Sequence, residues 1–336
     1  MKKFVKGISV FALAFLAACL VVELLLLVKT NHYSYKRDYL EQHLNDISVL
    51  LMGNSHIEEG LQPSLIADSA FNMAILGRTT IYDVELAKRY LPQMHHLKVL
   101  VMPLDYNDFY LGRKLNPPDG VTPFERSMKC MYYKHMGIRV DGFWYWPEMV
   151  NVRPNIFYRL LKPADQVREC DSLGFFALKL ANRGVGWEKR VLPDSVDHTK
   201  GIDPDEYATM FSQFETIARL ARERHVRLIL VSSPMYKTYQ ELMEPALLRD
   251  KEAFVKRLQE RFPEVEYYDF AFDDRFVADD FFDSSHLTEQ GAAKFSAIMG
   301  TIIGTTNGQT PKPLPTLISL LKNINGPYRL LDGRLK

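Results

Sequence analysis

Five short, mostly apolar segments constrain the fold of this chain more than any other feature of its sequence. Each is rich in β-branched or large apolar residues, and the first ends abruptly at the turn-forming residues Gly53, Asn54 and Ser55. Apolar runs of this kind, without strict alternation, predict strands that are buried on both faces of a helix-covered parallel sheet. The predicted strands are residues 47–52, 70–75, 97–102, 226–231 and 265–270.

Helical patterns lie between these predicted strands. Within residues 80–91, Val84, Ala87 and Leu91 recur at helical spacing. Residues 203–206 combine an N-cap aspartate, a proline and an acid, and Thr288 is placed to cap the last helix. Alternating strands and helices predict an α/β fold, a three-layer α/β/α domain with a parallel sheet and right-handed crossovers.

The N-terminus predicts a membrane anchor. Lys2, Lys3 and Lys6 precede an apolar run over residues 7–28 that only Glu23 interrupts. This run reaches the roughly 20 residues that cross a hydrocarbon core, so we expect a single uncleaved transmembrane helix. Lysines before a span favour a cytoplasmic N-terminus, which places the main domain on the extracytoplasmic side, periplasmic or at the cell surface.

A lipid anchor is the alternative. Residues 16–19, Leu-Ala-Ala-Cys, resemble a bacterial lipoprotein cleavage box with Cys19 as the lipidated residue. The apolar run continues to residue 28, where a mature lipoprotein normally turns polar, so the span is favoured. The predicted organisation is a cytoplasmic N-terminus at 1–6, the anchor at 7–28, a linker or short helix at 29–45, an α/β domain at 46–306 and a tail at 307–336.

The α/β pattern lapses between about residues 110 and 200, which we interpret as an insertion. It holds all three tryptophans, Trp144, Trp146 and Trp187, and helices are predicted near 157–161 and 175–182. Its aromatic rings either line a sugar-binding face or form the insertion's own core.

Composition excludes some functions. The formal net charge is +1 and no basic tract stands out, so nucleic-acid binding is not expected. No Cys/His spacing resembles a zinc site, and neither a metal nor another cofactor is predicted. Cys130 and Cys170 are either a disulfide, which an exported compartment permits, or two buried thiols.

Ser55 is the candidate nucleophile. It follows the first predicted strand in Gly53-Asn54-Ser55, where a strand-to-helix turn points a hydroxyl into the cleft at the carboxyl edge of the sheet. Asp283 and His286 lie three residues apart in the loop after the last strand. At this spacing the carboxylate can orient the imidazole, which leaves Nε2 free to take a proton from a serine.

An oxyanion also needs donors. The backbone N–H of Ser55, the N–H of Gly77 and the side-chain amide of Asn107 are the candidates, because each lies in a strand-ending loop. His56, Arg78 and Asp105 are candidate substrate contacts.

His56 and Arg78 each fit two roles. His56 has a structural role or a substrate contact, and a direct proton-transfer role is the weaker alternative. Arg78 steadies a substrate carboxylate or sits in solvent. Glu58 and Glu59 open a helix, where acids suit the positive end of the dipole.

These blocks resemble those of the SGNH/GDSL hydrolase superfamily. Residues 53–55 are similar to its Gly-Asp-Ser turn, 72–77 to its second-strand glycine block, 105–108 to its Gly-x-Asn-Asp block, and 283–286 to its Asp-x-x-His. The resemblance implies Ser55 as nucleophile, His286 as base, Asp283 as its orienter, and Gly77 and Asn107 in the oxyanion hole. Asn54 and Asp105 depart from the family pattern, which has aspartate and glycine there.

The resemblance extends to a membrane-anchored branch linked to polysaccharide O-acylation. We therefore expect a serine esterase or O-acyltransferase that acts on acyl esters, acetyl first among them, of a glycan or cell-surface polysaccharide. Expected partners are the glycan or small acyl ester, the membrane and polysaccharide-synthesis proteins. The alternative is a non-catalytic glycan-binding or scaffold subunit of an exopolysaccharide modification complex with a degenerate site. A lipid esterase is a further alternative.

Overall fold

A five-stranded parallel sheet forms the centre of the α/β domain. The computed structural model describes residues 1–109, 123–140, 145–151, 156–163, 169–189 and 201–306. All neighbouring strands are parallel, in the order β2-β1-β3-β4-β5. The predicted fold class is confirmed, and each strand overlaps a predicted segment: β1 Val49–Leu51, β2 Ala70–Asn72, β3 Val99–Pro103, β4 Arg227–Ser232 and β5 Glu266–Asp269.

Helices join and flank these strands. Asp203 caps one of them by accepting the Asp205 N–H at 2.9 Å, and Thr288 caps the last by accepting the Gly291 N–H at 3.2 Å, as the sequence predicts. The helices are α1 Lys2–Val28, α2 His32–Gln42, α3 Ser55–Glu58, α4 Thr80–Tyr90, α5 Pro123–Met131, α6 Glu148–Asn151, α7 Ile156–Leu161, α8 Pro204–Glu223, α9 Lys237–Gln240, α10 Pro245–Arg261 and α11 Glu289–Thr306.

Both faces of the sheet are covered. Every residue of β1, β2 and β3 is buried. On one face Val49 and Leu51 share a core with Phe295 and Met299 of α11. Helices α4, α8 and α10 pack together away from that core, with Phe254 of α10 against aromatic rings of α8. Burial on two faces explains why the strands are apolar without alternation.

The strand order creates a crevice at one edge of the sheet. The chain passes from β1 outward to β2, then returns to place β3 on the other side of β1. Loops that leave the carboxyl ends of β1 and β3 therefore diverge to opposite faces, and ligands of open α/β sheets bind at such a switch point.

The described chain divides into two compact units. Residues 1–38 and 116–169 form unit 1, and residues 39–115 and 170–336 form unit 2, which contains the whole sheet. Unit 1 includes α1, the one helix in the described residues that is long and apolar enough to cross a membrane. The predicted linker contains α2.

Residues 175–182 differ from the prediction. Instead of a helix they form an extended segment followed by a 3-10 turn at Leu180–Asn182. The Phe176 N–H donates to the carbonyl of Glu58 at 3.1 Å, and Phe175 is buried in the core. Tertiary contacts therefore override the local helical pattern. Trp144 and the tail at 307–336 lie outside the described residues.

Candidate active site

Ser55 stands at the point where β1 turns into α3. Gly53 has φ of 130°, and a Cβ there would come within 2.2 Å of Pro103 Cδ. Only glycine permits this close approach. Asn54 then caps α3, because its side chain accepts the N–H of His56 at 3.1 Å.

Polar contacts hold α3 in place. Asn72 Nδ2 donates to the carbonyls of Ile57 at 2.8 Å and Leu61 at 2.9 Å, which joins β2 to the segment that carries the serine. Glu58 is buried and accepts the N–H of Leu76 at 2.6 Å. The helix dipole predicted only that Glu58 would suit a helix start, so this contact between loops was missed.

The Asp283–His286 loop is closed by its own hydrogen bonds. Asp283 Oδ1 accepts the N–H of Ser285 at 2.9 Å and the N–H of His286 at 2.8 Å. The Phe282 N–H donates to the carbonyl of His286 at 2.8 Å. These bonds fix the carboxylate and the imidazole on one rigid turn.

The structure brings Ser55, His286 and Asp283 together. Ser55 Oγ lies 2.9 Å from His286 Nε2, across 231 residues of sequence. His286 Nδ1 lies 3.0 Å from each oxygen of Asp283. Burial alone would raise the pKa of Asp283, but hydrogen bonds from His286 and the backbone and the charge of His286 hold it at about 2. An ionised Asp283 can orient the imidazole as a base for the serine hydroxyl.

The predicted oxyanion donors lie on the loops after β2 and β3. Gly77 has φ of 69°, and the turn before it is bonded to the serine loop through the Ile75 N–H and the Gly53 carbonyl at 3.0 Å. Asn107 lies in the 3-10 turn directly after β3, and its buried Oδ1 has no hydrogen-bond partner among the described residues. Their role as oxyanion donors stays a prediction.

His56 and Asp105 form a second histidine–carboxylate pair beside the first. His56 Nδ1 lies 2.7 Å from Asp105 Oδ2, and both side chains are buried. Asp105 Oδ1 accepts the N–H of Ser233 at 2.7 Å. The His56 ring packs edge-on against the His286 ring, with centroids 5.0 Å apart. Burial lowers the pKa of His56, but the charge and hydrogen bond of Asp105 outweigh it, so the net shift is upward.

Arg78 is buried rather than exposed to solvent, because its side chain donates to the Met73 carbonyl at 2.8 Å and pairs with Asp83 at 2.7 Å. Its role as a substrate contact stays a prediction. Glu59 instead faces the site, with Oε2 3.8 Å from His286 Nε2. Its spacing of four residues from Ser55 on one helical turn was the signal that could have placed it there.

Cys130 and Cys170 are free, buried thiols. Among the described residues, no group of three or more His, Cys, Asp or Glu side chains could hold a metal ion.

Comparisons with known proteins give distant likenesses. No family model and no curated protein matches this sequence. A proposed acylhydrolase from Bacteroides fragilis is 11% identical with a TM-score of 0.37, covering 80% of this chain and 95% of its own. A GDSL-like lipase from Bacteroides thetaiotaomicron is 10% identical with a TM-score of 0.37, covering 80% and 98%. The structure of TesA is 10% identical with a TM-score of 0.33, covering 74% and 93%. Likenesses at this level say nothing of activity.

The pKa of Asp283 makes stability depend on acid pH. The folded-state pKa of about 2 lies below the ordinary value of 3.8, so ionised Asp283 stabilises the fold above that value. This contribution, about 2 kcal/mol, is lost as the pH falls towards the folded-state value. Asp283→Asn should therefore lower the melting temperature at pH 6, and the difference from the wild type should shrink towards zero near pH 2. A constant difference over this range would contradict the assignment.

Removing Asp105 should destabilise unit 2. Asp105→Ala leaves the His56 imidazole and the Ser233 N–H buried without their partner, which costs about 3–5 kcal/mol. Glu264→Ala is the matched control, because it breaks an exposed pair with Arg222, and exposed ion pairs contribute little to stability. Denaturation of both variants, followed by circular dichroism, should separate them clearly. Equal losses of unfolding free energy in the two variants would show that the His56–Asp105 pair does not stabilise the fold.

Proposed function

We propose that this chain is a membrane-anchored serine esterase or O-acyltransferase that acts through an acyl-enzyme. The observation that carries the proposal is the 2.9 Å separation of Ser55 Oγ and His286 Nε2, with Asp283 bonded to the other ring nitrogen. A serine hydroxyl needs a neighbouring base to become a nucleophile, and the base needs a group that fixes its tautomer. Both requirements are met by these three residues.

The reaction begins when Ser55 Oγ attacks the ester carbonyl. His286 Nε2 takes the hydroxyl proton, and the Ser55 N–H, the Gly77 N–H and the Asn107 amide hold the oxyanion. His286 then gives that proton to the leaving alcohol as the C–O bond breaks, which leaves an acyl-serine. Water or a sugar hydroxyl attacks the acyl-serine after losing its proton to His286, and the proton returns to Ser55 as the enzyme is regenerated.

The substrate that we propose is an O-acyl ester of a glycan or cell-surface polysaccharide. Support comes from the apolar helix α1, which is long enough to anchor the domain at a membrane, and from lysines that favour a cytoplasmic N-terminus. A polysaccharide outside the cytoplasm would be within reach of such an enzyme. Polysaccharide-synthesis proteins in the same membrane are the proposed partners.

Charge around the serine favours an uncharged acyl group. Asp283 and Glu59 both approach His286, and Asp105 lies behind His56. Arg78, the cation that could have met an acid, is tied to Asp83. An acyl group with a free carboxylate would therefore meet like charge, whereas an acetyl group would not.

Ser55→Ala should abolish labelling by a fluorophosphonate and reduce p-nitrophenyl acetate turnover to background, a loss of roughly 10⁶-fold. Asp283→Asn should keep the fold near neutral pH and lose about 10⁴-fold. Ser69→Ala is the matched control, because that hydroxyl bonds Ser48 before β1 and β2 begin, away from the carboxyl edge. Turnover that survives in Ser55→Ala rejects the mechanism. A wild type that binds polysaccharide yet never reacts favours the non-catalytic scaffold.

The acidic surroundings of the serine predict a substrate preference. The kcat/KM for p-nitrophenyl acetate should exceed that for the p-nitrophenyl monoester of succinate by at least about tenfold, since a carboxylate a few ångströms from Glu59 is repelled. Glu59→Gln should narrow this ratio, whereas Glu264→Gln, which changes an exposed charge paired with Arg222, should leave it unchanged. Equal or faster use of the succinate ester would contradict this effect of charge.

A further inference from the structure

Unit 1 exposes a cluster of large apolar side chains on α7. Phe157 is 77% exposed, Leu161 is 79% exposed and Tyr158 is 47% exposed. Phe157 and Leu161 are four residues apart, so they project from the same side of the helix. A cluster of this kind on a protein surface normally marks a place where something docks.

Glu23 of α1 fixes the position of α6 along α1. Its Oε1 accepts the N–H of Glu148 at 2.7 Å, and its Oε2 accepts the N–H of Met149 at 3.0 Å. The hydroxyl of Tyr145 donates to the same carboxylate at 3.1 Å. Helix α6 therefore lies beside the last turns of α1.

Helix α7 is tied to α6 by a buried charge cluster. Arg159 Nη1 donates to Glu148 Oε1 at 2.7 Å, while Lys134 and His135 approach the same carboxylate at 3.3 Å. Burial would raise the pKa of Glu148, but its interactions with His135, Arg159 and Lys134 hold that pKa at about 2. Arg159 thus faces the inside of unit 1, while Phe157 and Leu161 face outwards.

The helical rise of α1 gives the depth at which Glu23 would lie in a bilayer. Nearly all of α1 before Glu23 is exposed, and its large apolar residues begin at Phe4. In the predicted anchor at residues 7–28, Glu23 lies five residues, or about 7 Å, before the outer end. Because α6 is bonded to Glu23, α6 and α7 lie beside the last turns of α1, near the outer boundary of the hydrocarbon core.

We propose that Phe157, Tyr158 and Leu161 rest in the interface of the bilayer that α1 crosses. We expect phospholipid to cover these three side chains, because they lie beside the exposed apolar surface of α1, which the same lipids would cover. Lys162 Nζ lies 5.9 Å from the centre of the Tyr158 ring, and tyrosine with lysine is the pairing typical of the headgroup region. The inference rests on the anchor in the proposed function, and it adds a second membrane contact.

Photocrosslinking in phospholipid vesicles tests this contact. The full chain would carry p-benzoylphenylalanine at position 157 or 161, which are exposed and tolerate a larger ring. Position 13 in α1 is the positive control, and the exposed positions 185 and 272 of unit 2 set the background. After irradiation, mass spectrometry should find one-phospholipid adducts at 157 and 161 at least about fivefold above that background.

The outcomes separate the two hypotheses. Adducts at 13 together with background levels at 157 and 161 overturn the interfacial contact and leave the anchor intact. Background levels at all three positions overturn the anchor and with it this inference. Neither result depends on whether Ser55 is reactive.

Discussion

The close approach of β1 and β3 at their carboxyl ends is the constraint on which the site depends. The Gly53 backbone lies against the ring of Pro103, at a distance that any Cβ would close. Because the two strands stay together up to this point, the loops after them start side by side. Ser55 and Asp105 are thereby held near each other although fifty residues of helix and loop separate them. The loop that carries His286 can therefore contact Ser55 and the His56–Asp105 pair at the same point.

His56 and Asp105 each supply the hydrogen-bond partner that the other needs when buried. The Asp105 side chain is fully buried, and a lone carboxylate there would be costly. His56 supplies its partner, and the Ser233 N–H satisfies the second oxygen. Loss of either side chain would therefore leave the other buried without its partner, and the pair places the His56 imidazole against the His286 ring.

Local patterns predicted most of the fold. Strand runs, the Asp203 cap and the Thr288 cap depend on residues close in sequence, and the order of loops in a parallel sheet then brings Ser55 to His286. What the sequence did not reveal depends on contacts between distant segments. Arg78 turns inward to reach Asp83, and Phe176 pairs with the end of α3. Periodicity carries no information about either contact.

Glu23 is another residue whose contacts with a distant segment the sequence pattern did not reveal. In sequence it only interrupts an apolar run, and an acid near the C-terminal end of a helix opposes the dipole. The N–H groups of Glu148 and Met149 compensate for this, so the last turns of α1 belong to the fold of unit 1. If Cys19 were the lipidated residue instead, Glu23 would still lie only about one helical turn, roughly 6 Å, beyond the lipid. Under the proposed anchoring, either form of attachment would bring α6 and α7 close to the membrane surface.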